Sequence, residues 1–63
     1  MKVTYYTYFF VYFAKTLNVK STYVSPLTYE SEEDCYDALE RSKSILSSKI
    51  LFQQVITTEV LLP

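Results

Sequence analysis

A chain of 63 residues with six basic and seven acidic side chains is expected to form one domain, 1–63, of near-neutral charge. It has one cysteine and no histidine or glycine, which excludes an internal disulfide and a glycine-rich phosphate loop and argues against the usual zinc and iron ligand sets. A chain this short buries only about 60% of its unfolded surface, so an unusually aromatic core or an oligomer has to supply stability.

The stretch YYTYFFVYFA (residues 5–14) is too short to span a bilayer as a helix. Lys2 offers the charged start of an export signal, but no small-residue cleavage site follows. A membrane association is therefore not expected. The lone cysteine fits a reducing, cytoplasmic setting. The segment KVTYYTYFFVYFAK is dense in Val, Thr, Tyr and Phe and predicts a β-strand. At period two, one face reads Val3, Tyr5, Thr7, Phe9, Val11, Phe13, and the other Thr4, Tyr6, Tyr8, Phe10, Tyr12. The first is the more apolar and is expected to face the core. That leaves Tyr6, Tyr8, Phe10 and Tyr12 as an open aromatic face. TLN breaks the run, and Asn18 suits a left-handed turn. VKSTYV predicts a shorter, more polar edge strand, ended by Pro26.

The spacing predicts one helix over 31–47. Ser31 is the cap, and Asp34 occupies the capping-box position. Cys35, Ala38, Leu39, Ser42, Ile45 and Leu46 share one stripe, with Glu33, Asp37 and Glu40 opposite. On that stripe Cys35 reads as a small core residue. The stretch ESEEDCYDALE holds six of the seven acids: Glu30, Glu32, Glu33, Asp34, Asp37 and Glu40. Acids early in the helix, with Arg41 and Lys43 late, complement its macrodipole. Capping and solvation thus explain part of the cluster. Asp37 has Arg41 four residues on, and Glu40 has Lys43 three on. Glu30, Glu32, Glu33 and Asp34 have no nearby base, and Glu33 and Asp37 repel each other at helical spacing. A protein-binding acidic patch is the second reading.

KILFQQVITTEVLL predicts a third strand with Ile50, Phe52, Ile56, Val60 and Leu62 on one face, Gln54 and Thr58 among them. The order strand, strand, helix, strand, with a right-handed crossover, gives sheet order 2-1-3. The expected class is α+β: a three-stranded antiparallel sheet, ββαβ, with the helix on one face. The third strand is then an edge carrying one acid, Glu59, and is open to pairing with another chain.

Without histidine there is no Ser-His or Cys-His nucleophile pair. The carboxylates look exposed, with nothing to set two of them apart as acid and base. Neither an enzyme nor a cofactor or metal site is expected. Binding remains. The acidic patch can imitate nucleic-acid phosphates and enter a basic groove on another protein. Alternatively the ring stripe can stack single-stranded bases, and FVYF, Phe10–Phe13, resembles the end of the aromatic strand motif of RNA-recognition domains. A net charge of −1 disfavours a nucleic-acid partner.

A wider resemblance rests on the Tyr-rich first strand, PLTYESEEDCYDALE and the closing VITTEVLL. With its Pro-Leu-Thr lead into an acidic helix start, this pattern resembles small bacteriophage-encoded strand-strand-helix-strand proteins of the anti-CRISPR or host-takeover kind. The resemblance implies an inhibitor that binds a host or defence protein through a basic surface. A homodimer is also expected, paired edge to edge through residues 51–58 or face to face through Tyr6, Tyr8 and Tyr12, and a purely structural homodimer subunit is the third functional alternative.

Overall fold

The computed structural model describes residues 1–46 and 48–63. The elements are β1 (Lys2–Ala14), β2 (Val19–Val24), α1 (Glu32–Leu46) and β3 (Lys49–Leu61). Both β2 and β3 pair antiparallel with β1, in sheet order β2-β1-β3, and α1 covers one face. This is the ββαβ, α+β plan expected from the sequence. The expected helix end at Ser47 lies outside the described residues.

Local chemistry sets the connections. Residues 15–18 form the turn between β1 and β2, where the Leu17 N–H donates to Ala14 O (3.2 Å) and the Asn18 N–H to Lys15 O (3.3 Å). Asn18 has φ of 56°, a left-handed conformation that asparagine tolerates and a branched residue would resist. Beyond β2, Ser25 N–H donates to Tyr8 O (2.9 Å), and Ser25 Oγ accepts from Tyr8 N–H (3.3 Å). Tyr6 and Tyr29 then exchange two backbone hydrogen bonds, of 2.8 and 2.9 Å. The segment 25–29 thus continues the pairing along β1 past Pro26 and brings the chain to the helix start.

The two faces of β1 are used in the opposite sense to the sequence expectation. Tyr8 and Phe10 are 2% and 0% exposed and form the core with Cys35, Ala38 and Leu39; Tyr6 and Tyr12 pack against it. The more apolar face, from Val3 to Phe13, is the uncovered one. The helix accounts for this inversion. Its inward stripe has the small residues Cys35, Ala38 and Ser42, which let flat rings lie close beneath the backbone. Ser42 Oγ also lies 2.7 Å from the Tyr8 hydroxyl, giving a polar partner that a Val or Phe on the other face could not use. Tyr23 from β2 and Tyr29 complete the layer. Phe10 and Tyr23 stack at 5.1 Å between centroids, Tyr8 and Tyr23 at 6.2 Å, and Tyr8 and Tyr29 at 6.3 Å. Each such pair adds about 0.5–1.5 kcal/mol beyond area burial.

Two further expectations change. Ile45 is 83% exposed, because it lies about 80° from the centre of the buried stripe, whose last position is filled by Leu46. On β3, the pairing with β1 shifts between Val11 and Tyr12, skipping Leu51. This bulge turns Ile50 to the helix side, where it packs on the core, while Phe52, Ile56 and Val60 stay on the open face. The expected single apolar face of β3 is therefore divided between the two sides.

The molecule is long for its size, at 47 × 18 × 16 Å. Its radius of gyration is 13.7 Å, against about 10.6 Å for a compact domain of this length. The excess comes from the first residues of β1 and the last of β3, a two-stranded ribbon beyond Tyr6 and the reach of β2. No helix among the described residues is long and apolar enough to cross a membrane.

Because the inward ring layer is the core, Phe10→Ala should lower stability by about 3–5 kcal/mol in urea unfolding, enough to unfold much of the population. If the opposite face were the core, this change would have little effect and Phe9→Ala would be the damaging one.

Candidate functional site

The helix start is built around Ser31. Its Oγ accepts from the Asp34 N–H at 3.1 Å, and its carbonyl accepts from the Cys35 N–H at 3.1 Å, the first helical hydrogen bond. Asp34 makes no return bond to the Ser31 N–H among the described residues; its side chain is one methylene shorter than the usual glutamate. Glu32, Glu33 and Asp34 occupy the first turn and Lys43 the last.

All six acids of the cluster are exposed: Glu30, Glu32, Glu33, Asp34, Asp37 and Glu40. Glu33, Asp37 and Glu40 line the outer side of the helix, with Glu32 on one flank and Asp34 on the other. Glu40 is neutralised by Lys43, whose Nζ lies 3.0 Å from the carboxylate and also donates to Gln53 Oε1 on β3 at 2.6 Å. This expected pair therefore also ties the helix to the sheet. The expected Asp37–Arg41 pair is not formed. Among the described residues the other ion pair is Lys2–Glu59, at 3.0 Å. Five of the six acids thus carry no ion pair. Among the described residues they line no pocket, and no group of three or more candidate ligands is placed to hold a metal ion.

The ring stripe Tyr6, Tyr8, Phe10 and Tyr12 lies between sheet and helix. Bases cannot stack there, nor can a second copy pack there, without displacing α1. The surface that sequence reasoning missed is the opposite sheet face. Val3, Phe9, Val11, Phe52, Ile56 and Val60 lie on it, with Phe9 and Phe52 in contact at 5.9 Å between ring centroids. Its signal is the period-two pattern of β1, whose more apolar side faces away from the helix.

Beneath the helix, burial raises the Tyr8 hydroxyl above its ordinary value of 10.0, against a smaller opposing effect of the Ser42 hydrogen bond. Burial also raises the Cys35 thiol above 9.0, with a smaller push from the Glu32 carboxylate. Cys35 is 0% exposed and is therefore a packing residue beneath the acidic turn.

The chain matches no protein-family model, no curated protein and no solved structure.

Both raised groups hold their protons more tightly in the folded chain than in the unfolded one. Their contribution to stability is complete below pH 9.0 and is lost as pH rises past the ordinary values of 9.0 for Cys35 and 10.0 for Tyr8. Urea midpoints measured across this range should fall, and the fall should be shallower in Cys35→Ala with Tyr8→Phe. The Tyr8→Phe change alone should cost about 1 kcal/mol at neutral pH through the lost hydrogen bond. A thiol reagent should label Cys35 only as fast as the chain unfolds.

Proposed function

We propose that the protein is a non-enzymatic binding protein that docks its acidic helix on a basic surface of another protein. The observation that carries this reading is the set of five exposed carboxylates, Glu30, Glu32, Glu33, Asp34 and Asp37, with no ion pair among the described residues. Ser31 already caps the helix, and one or two acids satisfy its dipole. The remaining acids repel one another at a cost of a few tenths of a kcal/mol per close pair. A target lined with lysine and arginine removes that repulsion and is steered toward the patch by its field. A nucleic-acid backbone would meet the same surface with like charge. The likeness to small phage proteins adds the class of action: inhibition of a host or defence protein, of the anti-CRISPR or host-takeover kind, inside the host cytoplasm.

Glu33→Lys with Asp37→Lys should leave the fold intact, since both side chains are exposed and neither pairs. Immobilised wild-type protein should retain a basic partner from host extract that the double variant loses. That retention should weaken with salt, which screens exposed charges within about 8–10 Å at physiological strength. The same partners held by both proteins, at all salt concentrations, would contradict the reading.

A further inference from the structure

We propose that the open sheet face is the interface of a homodimer, in which two copies pack face to face as a β-sandwich with their helices outermost. The proposal is independent of what the acidic helix binds. It starts from what the fold leaves in water. Val24 is 65% exposed, Phe52 54%, and Val3, Ile56 and Val60 are each 38–39% exposed, all on one side of one sheet. Their neighbours on that side are Thr, Tyr, Val, Phe and Gln over most of its length. Side-chain charge on that side, among the described residues, lies at one end, where Lys20 and Lys49 both pair with Phe13.

The area agrees with this. The chain exposes 4717 Å², whereas a monomer of its mass exposes about 4,200 Å². The footprint of the face follows from strand geometry. Two 13-residue strands and one 6-residue strand, at ~3.3 Å per residue and ~4.8 Å spacing, cover about 500 Å². Two such faces bring together about 1,000 Å² in projection, and more in accessible area because side chains stand proud of the sheet. That reaches the size of a specific interface.

The chemistry of the face selects a second copy as its occupant. It has no charge along its centre to recognise an ionic partner. Branched aliphatics lie among its rings, and Phe9 and Phe52 lean on each other at 39° rather than lying flat as a base-stacking platform would. A copy of itself is matched in length and polarity, and it places both acidic helices on the outside, where they do not repel. Charge also selects the orientation. A two-fold axis perpendicular to the strands sets Lys20 and Lys49 of one copy over the Val3–Val60 end of the other. A parallel arrangement would put four lysines together. The antiparallel sandwich also covers the two-stranded ribbon beyond Tyr6, an element of marginal stability by itself.

Edge pairing through β3 is the competing dimer, and it is separable. Tyr6 gives both backbone groups to Tyr29, so its β3 partner Thr57 directs its own N–H and C=O away from β1, to the free edge. Thr57→Pro removes an edge donor without touching the open face. Sedimentation velocity at micromolar protein should give twice the chain mass for wild type and for Thr57→Pro. Phe52→Glu, at an exposed site, should give the single-chain mass with the helical and strand circular dichroism retained. Isotope-filtered NOEs on mixed-label wild type, which need no variant, should connect Phe52 and Val24 of one copy to aliphatics on the open face of the other. Three results would each overturn the proposal. One is a folded wild-type monomer at high micromolar concentration. Another is a dimer broken by Thr57→Pro but not by Phe52→Glu. The third is a wild-type monomer that binds a labelled single-stranded oligonucleotide through Phe52.

Discussion

The fold depends on how closely one helix can approach two flat rings. Tyr8 and Phe10 lie almost parallel, 2° apart in plane with centroids at 6.4 Å, and present a broad surface just beneath α1. Cys35 and Ala38 are small enough to let the helix backbone settle on that surface, and Leu39 fills the space that remains. Ser42 meets the Tyr8 hydroxyl, so the phenol is buried without an orphaned polar group. With a larger residue at Cys35 or Ala38 the helix would stand off, and the ring layer would open to water.

The rest of the charge and surface distribution follows from that contact. With its small stripe turned inward, α1 must show Glu33, Asp37 and Glu40 outward, and the first-turn acids lie on its flanks. Lys43 reaches down to Gln53 and fixes the helix along β3. With one side of β1 committed to the helix, its other side, richer in Val and Phe, is covered by no element among the described residues. One molecule therefore carries two unlike surfaces back to back, an acidic one on the helix and a largely apolar sheet face with lysines at one end.

The core explains why the second surface matters energetically. Among the described residues five are buried, and two of them are Cys and Ala. A core of that size is thin support for a sheet whose long strands run past the helix. Hydrophobic burial is roughly proportional to apolar area removed from water, so the largest remaining gain lies on the open face. The acidic helix offers no comparable gain, because its outer side is charged rather than apolar.

Much of this was legible in the sequence. Composition alone marked the strands, and Ser31 with the 3.6-residue stripe marked the helix. The break at TLN placed Asn18 in the turn, and the strand-helix order led to the 2-1-3 sheet. These are local signals, since turn chemistry, capping and periodicity act over a few residues. The exposure of the acids was equally local, because they fall outside the apolar stripe of the helix. What the sequence could not decide was which side of β1 the helix would choose. Period two separates the faces of a strand but does not say which is covered. Counting apolar residues favoured Val3 to Phe13; the outcome turned instead on fit between Tyr8, Phe10 and the small residues of α1, and on a hydroxyl partner 34 positions away. The bulge at Leu51 was hidden for the same reason, since register is a property of two strands together. Only the assembled tertiary structure brings ring, small residue and hydroxyl into contact, and that contact decides the buried face.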